Sequence, residues 1–275
     1  LEHRRQRQMC IRDRNLIEEN SYKHIIDAVK QAGQIAINYQ AKNLEHWYKS
    51  RTQPVTKADI EINDFLKTFF SRLTPNFGWL SEESEDNKSR LKSDSFWCVD
   101  PIDGTRSFIN GLPEYTISIA LVNLNKPVFG IIYNPKTKEL FSARKDKGAY
   151  CNKNKIFVSS QKSLTNFTLA ISSSETKKMS EHPLIKSKKI FKIGSIAYKI
   201  ALVAKGSIDV CLSFTKKSDW DLAAAKLILS ESGGEISTIN GKNIDLNTDS
   251  LSIPSVIATN RLLHAKLIKK IQNEE

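Results

Sequence analysis

Trp97-Cys98-Val99-Asp100-Pro101-Ile102-Asp103-Gly104-Thr105 runs a buried-looking apolar stretch straight into two carboxylates and a glycine. Phe96–Val99 has the character of a short interior strand. Carboxylates at the end of such a strand are costly unless they are paired or bound to a cation. Pro101 fixes its own φ, so Asp100, the Ile102 carbonyl and Asp103 can converge on one point. Gly104 lets an anion approach the backbone. A helix opening at Gly104-Thr105 would present free N–H groups to it. An ordinary Asp-Pro turn with a helix cap is the alternative, and the neighbouring acidic segments weigh against it.

Two further segments place carboxylates at the ends of predicted elements. Ser81-Glu82-Glu83-Ser84 follows a short strand at Trp79-Leu80, and Trp220-Asp221 opens a helix. Neither contains a compensating Arg or Lys. Mg²⁺ takes oxygen ligands in near-octahedral geometry, usually completed by waters and substrate phosphate. Several carboxylates and one main-chain carbonyl suit it.

Around these segments the chain divides in two. Residues 16–40 and the stretch after Pro54-Val55-Thr56, which Thr74-Pro75-Asn76 stops, have helical apolar spacing. Thr116–Val122, Val128–Tyr133 and Glu139–Ala143 predict an antiparallel meander. Beyond Cys151-Asn152-Lys153-Asn154 the texture alternates. Strands are expected at Phe167–Ser172, Lys189–Ile193, Ile208–Ser213 and Val256–Thr259, and helices at Ser195–Ala204, Asp221–Ser232 and Arg261–Gln272. The expected domains are 15–150, α+β with the metal site, and 151–275, α/β, supplying Asp221 and substrate contacts. Residues 1–14, with Met9-Cys10-Ile11-Arg12-Asp13-Arg14, have the look of a non-native, adapter-derived segment.

The 275 residues are 40% hydrophobic and 26% charged, a globular balance. No apolar run approaches the roughly 20 residues of a membrane span, and no signal-peptide pattern is present. The net charge is +12; residues 1–14 hold five Arg against Glu2 and Asp13, a net of +3, which leaves +9. That excess is mostly dispersed Lys, without zinc-finger spacing or an aromatic RNA-binding signature. It suits anionic metabolites better than a nucleic acid polymer. Cys98, Cys151 and Cys211 are widely spaced in apolar contexts, as free thiols of a reducing compartment would be. A cytoplasmic location is the expectation. The five His (3, 24, 46, 182 and 264) lie outside the acidic segments, so no Ser-His-Asp or Cys-His set is expected.

With these motifs the chain resembles the inositol monophosphatase superfamily of lithium-sensitive, Mg²⁺-dependent phosphatases. The first signature spans Trp97 to Phe108. The second is Trp220-Asp221-Leu222-Ala223-Ala224-Ala225, followed by Glu231-Ser232-Gly233-Gly234. Glu82-Glu83-Ser84 and Pro54-Val55-Thr56-Lys57-Ala58-Asp59 fit in the same order. The resemblance implies a layered α/β/α/β/α sandwich, commonly a homodimer, with two or three Mg²⁺ ions. It makes Glu82, Asp100, the Ile102 carbonyl, Asp103 and Asp221 the metal ligands. Thr105, supported by Asp59 and Glu82, would orient and activate water. The Gly104 and Thr105 amides would hold the phosphate, and Gly194-Ser195 would line the substrate side. Lys49 falls near a family lysine that faces the active site.

The implied substrate is a small phosphorylated metabolite. Pro54–Asp59, Arg106 after Thr105, and Ser218–Ala225 lean towards the bacterial 3'(2'),5'-bisphosphate nucleotidases, which convert 3'-phosphoadenosine 5'-phosphate to AMP and phosphate. Inositol monophosphatase and then histidinol phosphatase are the alternatives. A basic RNA-associated protein on the same fold is the non-enzymatic one.

Overall fold

The computed structural model describes residues 16–17, 19–41, 44–50, 53–178 and 189–274. The segment 1–14, with Cys10 and His3, lies outside them, as does His182. Helix α1, Glu19–Gln40, buries Ile25, Val29, Ala32 and Ala36 along one stripe. A hairpin of β1, His46–Ser50, and β2, Gln53–Thr56, leads into α2, Lys57–Leu73. Thr56 and Asp59 form a capping box at the start of α2, satisfying backbone groups reciprocally.

A seven-stranded sheet follows, in order β3-β4-β5-β6-β7-β8-β9. Its strands are β3 Gly78–Ser81, β4 Ser95–Asp103, β5 Thr116–Asn123, β6 Lys126–Asn134, β7 Glu139–Arg144, β8 Ala149–Cys151 and β9 Asn154–Ile156. Only β3 and β4 pair in parallel; the rest is the expected meander. All nine residues of β4 are buried. The short helix α3, Thr105–Ile109, leaves its end. The sheet runs past residue 150 to Ile156 before the chain crosses over.

The second sheet has the order β11-β10-β12-β14-β13. Its strands are β10 Thr168–Ile171, β11 Lys189–Lys192, β12 Val210–Ser213, β13 Gly234–Ser237 and β14 Val256–Asn260. Helix α4, Ser173–Lys178, follows β10; α5, Ile196–Ala204, precedes β12; α6, Asp219–Glu231, follows it; and α7, Arg261–Glu274, follows β14.

Three apolar cores define five layers. The first joins α1 and α2 to one face of the large sheet through Ile62, Leu66, Phe70, Trp97 and Ile119. The second fills the space between the two sheets with α5 and α6. Ala223, Ala224 and Ala225 are small enough to bring α6 close to both. The third seats α7 on the outer face of the small sheet through Leu212, Ile257, Leu263 and Leu267. This is the expected α/β/α/β/α sandwich.

Candidate metal and phosphate site

The three acidic segments meet where β3 and β4 end and α6 begins. Carboxylate oxygens of Asp100, Asp103 and Asp221 lie within 4.8 Å of one another. Asp100 is buried; one oxygen accepts from the Ile102 amide at 3.1 Å, and among the described residues the other has no partner. Asp103 accepts from the Ser195 hydroxyl and from the Ala197 amide at 2.6 Å. Asp221 caps its own helix by accepting from the Ser218 amide at 2.6 Å. Glu82 opens onto the same cleft. Lys49 reaches over from β1, its Nζ 3.3 Å from Glu82 Oε1 and 2.6 Å from Glu83 Oε1.

The electrostatics of this cluster call for a cation. Burial raises the pKa of Asp100 well above the carboxylate range, and Glu82, Asp103 and Asp221 push it further. Asp221 is driven up to about 8 by burial, then by Asp103 and Glu82. Burial also raises Asp103, against the hydrogen bonds from Ser195 and Ala197. Glu82 is raised by burial and partly relieved by Lys49. Carboxylates that penalise one another, with one buried oxygen left over, fit a hard divalent cation.

Gly104 occupies a left-handed conformation at φ 93°, and a Cβ there would stand 2.8 Å from the Glu114 carbonyl. The Thr105 hydroxyl donates to the Ile102 carbonyl at 3.1 Å. Among the described residues Asp59 and Thr105 share no hydrogen bond. Its carboxylate accepts from the Thr56 amide at 2.8 Å and from the Thr56 hydroxyl, and burial lifts its pKa to about 7. Gly194 lines the cleft, and a Cβ on it would meet Ser107 Oγ at 2.0 Å. Ser195 does not line the cleft. It is fully buried, caps α5 through the Tyr198 amide, and holds Asp103 from behind.

The cleft measures about 490 Å³, and four basic residues line it, Arg106, Lys192, Lys199 and Lys217, with Glu114 and Glu175 among them. Sequence reasoning singled out Arg106 but not Lys192, Lys199 or Lys217 as cleft residues. The one signal available was Lys199, a lone charge inside the otherwise apolar helix Ile196–Ala204.

A model of the inositol monophosphatase family matches residues 18–275. Inositol monophosphatase 3 of Solanum lycopersicum is 31% identical over 259 residues, covering 90% of this chain and 94% of that protein. The extragenic suppressor protein suhB from Bartonella henselae superposes with a TM-score of 0.81 at 28% identity, over 94% of this chain and all of that one. An IMPase from Thermotoga maritima gives 0.80 at 25% identity, over 92% and 97% of the two chains.

Proposed function

The chain belongs to the inositol monophosphatase family, whose members are phosphoric monoester hydrolases, and from that premise we propose that it is a Mg²⁺-dependent 3'(2'),5'-bisphosphate nucleotidase. The observation that carries the metal-dependent part is the unpartnered Asp100 oxygen among three converging carboxylates. Asp100, Asp103, Asp221, Glu82 and the Ile102 carbonyl would hold two or three Mg²⁺. Bound Mg²⁺ supplies charge neutralisation and Lewis-acid polarisation at the phosphoryl group.

The chain's own groups do the rest. The Gly104 and Thr105 amides hold the phosphate. The Thr105 hydroxyl gives its single proton to Ile102 O, so its lone pairs are left to accept from a water and aim it. Glu82, which opens onto the same cleft, would act with Thr105 in orienting and activating that water. Asp59 acts at one remove: it secures the start of α2 and lies in electrostatic reach of Glu82. Positioning and charge stabilisation are the main levers for phosphoryl transfer.

The nucleotide reading rests on Pro54–Asp59, Arg106 and Ser218–Ala225, and the basic residues that line the cleft support it. Inositol 1-phosphate is the second reading, favoured by the names of the relatives. We place the enzyme in the cytoplasm, as a homodimer. Support for the compartment is three buried free cysteines, Cys98, Cys151 and Cys211; among the described residues no helix is long and apolar enough to cross a membrane. Support for the dimer is the family resemblance alone.

The test is phosphate release from 3'-phosphoadenosine 5'-phosphate, inositol 1-phosphate, histidinol phosphate and fructose 1,6-bisphosphate, with Mg²⁺ and with chelator. The nucleotide is expected to give the highest kcat/KM, only with Mg²⁺. RNA binding that persists without Mg²⁺, with no phosphate released from any ester, would overturn the enzymatic reading.

A further inference from the structure

Lys199 is 1% exposed, yet it lines the cleft. Among the described residues its ammonium has no hydrogen-bond or ion-pair partner; burial pulls its pKa down, and its charged neighbours are Glu175, Lys217 and Asp103. A buried ammonium without a partner is costly, and the obvious counter-ions are already occupied. Glu175 is itself buried and accepts four hydrogen bonds. One carboxylate oxygen takes Ser213 Oγ at 2.9 Å and the Phe214 and Thr215 amides at 2.6 and 3.0 Å; the other takes Ser172 Oγ. Asp103 is held by Ser195 and Ala197 and belongs to the carboxylate cluster. Lys217 is tied to the Thr215 hydroxyl at 2.7 Å. Lys199 is therefore a buried cation in this cleft that the described residues leave unpaired, and it lines the ligand space.

Its place in the fold groups it with the small-sheet side of the cleft. Of the carboxylate cluster, only Asp103 stands among its main charged neighbours; the others lie on α4 and the segment after β12. Lys199 thus stands among the cleft residues that the second half of the chain supplies, with Glu175, Lys192 and Lys217. Building on the hydrolase reading above, we infer that Lys199 is the floor of a second anion subsite, and that the substrates of this chain carry a further phosphate besides the one removed. The second phosphate is held and not cleaved. Lys192, exposed and also lining the cleft, extends the subsite towards solvent. Glu175 is a positioning residue that fixes the walls around it.

The experiment compares substrates that differ by one phosphate, at excess Mg²⁺. The pairs are adenosine 3',5'-bisphosphate with adenosine 3'-monophosphate, and fructose 1,6-bisphosphate with fructose 1-phosphate. The wild type is expected to favour the bisphosphate of at least one pair by roughly 10- to 100-fold in kcat/KM, mainly through KM. The pair showing the preference tells a nucleotide from a sugar. Lys199→Met should abolish the preference, and Lys199→Arg should keep part of it. Lys199→Gln stands in if the Met variant does not fold. No preference in either wild-type pair, or equal losses on both members of a pair in the variant, would overturn the subsite while leaving the hydrolase reading standing. If no ester is hydrolysed, the hydrolase reading falls, and calorimetry with adenosine 5'-monophosphate against adenosine decides the subsite alone. Binding of the nucleotide over the nucleoside that disappears in Lys199→Met supports it; equal binding of the two overturns it.

Discussion

Thr105 has one hydroxyl proton, and the structure directs it to the Ile102 carbonyl at 3.1 Å. That detail separates two roles for the residue. As a fold element alone, losing the hydroxyl would cost a fraction of the roughly 1 kcal/mol typical of a hydrogen bond and leave the chemistry alone. As the group that aims the nucleophilic water, Thr105→Ala should lower kcat about 10²- to 10⁴-fold with KM nearly unchanged. Thr105→Ser should recover most of the loss. Steady-state kinetics of both variants check this, and a raised KM with normal kcat would make Thr105 a phosphate-binding residue only. Asp59 was expected to support Thr105, and its carboxylate accepts from the Thr56 amide and hydroxyl. Sequence spacing could not reveal this, because a capping box and a catalytic carboxylate use the same residue type at the same place.

At the scale of elements, α5 and α6 bring the second half of the chain to the site. Ser195 caps α5 and simultaneously holds Asp103, so one hydroxyl couples a helix start to a metal ligand. Ser195→Ala should cost about 1 kcal/mol in stability and also weaken Mg²⁺ affinity, measured by denaturant melts and by metal titration of activity. A stability loss without an affinity loss would confine Ser195 to capping. Most elements around the site were legible because their apolar runs are long and end in charged or turn residues, as β4 and α2 do. The β1–β2 hairpin was not: all five residues of β1 are exposed, so no buried alternation marks it. Strands β8 and β9 have three residues each, too few to show a period. The cleft lysines escaped because Lys192, Lys199 and Lys217 come from three separate elements and converge only in the fold.

For the whole molecule, the acidic centre of the sandwich ties stability to metal and to pH. Without metal, Asp59 and Asp221 have folded-state pKa values of about 7 and about 8, against about 3.9 for an unfolded Asp. Their folded pKa values are raised, so the native state binds more protons across that window, and stability falls as pH rises from about 4 to about 8. Thermal melts of chelated protein should show this decline. Saturating Mg²⁺ should flatten it and raise Tm, with about 2.7 kcal/mol of stabilisation at a hundredfold excess over Kd. A chelated protein whose stability rises through that window would contradict the electrostatic picture. The most direct test of the central claim, that a carboxylate-held cation drives phosphate ester hydrolysis, is turnover of Asp100→Asn on 3'-phosphoadenosine 5'-phosphate across a Mg²⁺ titration. The variant removes one ligand charge and little volume, so it should fold with an unchanged or higher metal-free Tm, since like-charge repulsion falls. Its turnover should drop by orders of magnitude and stay low at saturating Mg²⁺. Near-normal turnover of Asp100→Asn at saturating Mg²⁺ would contradict the account.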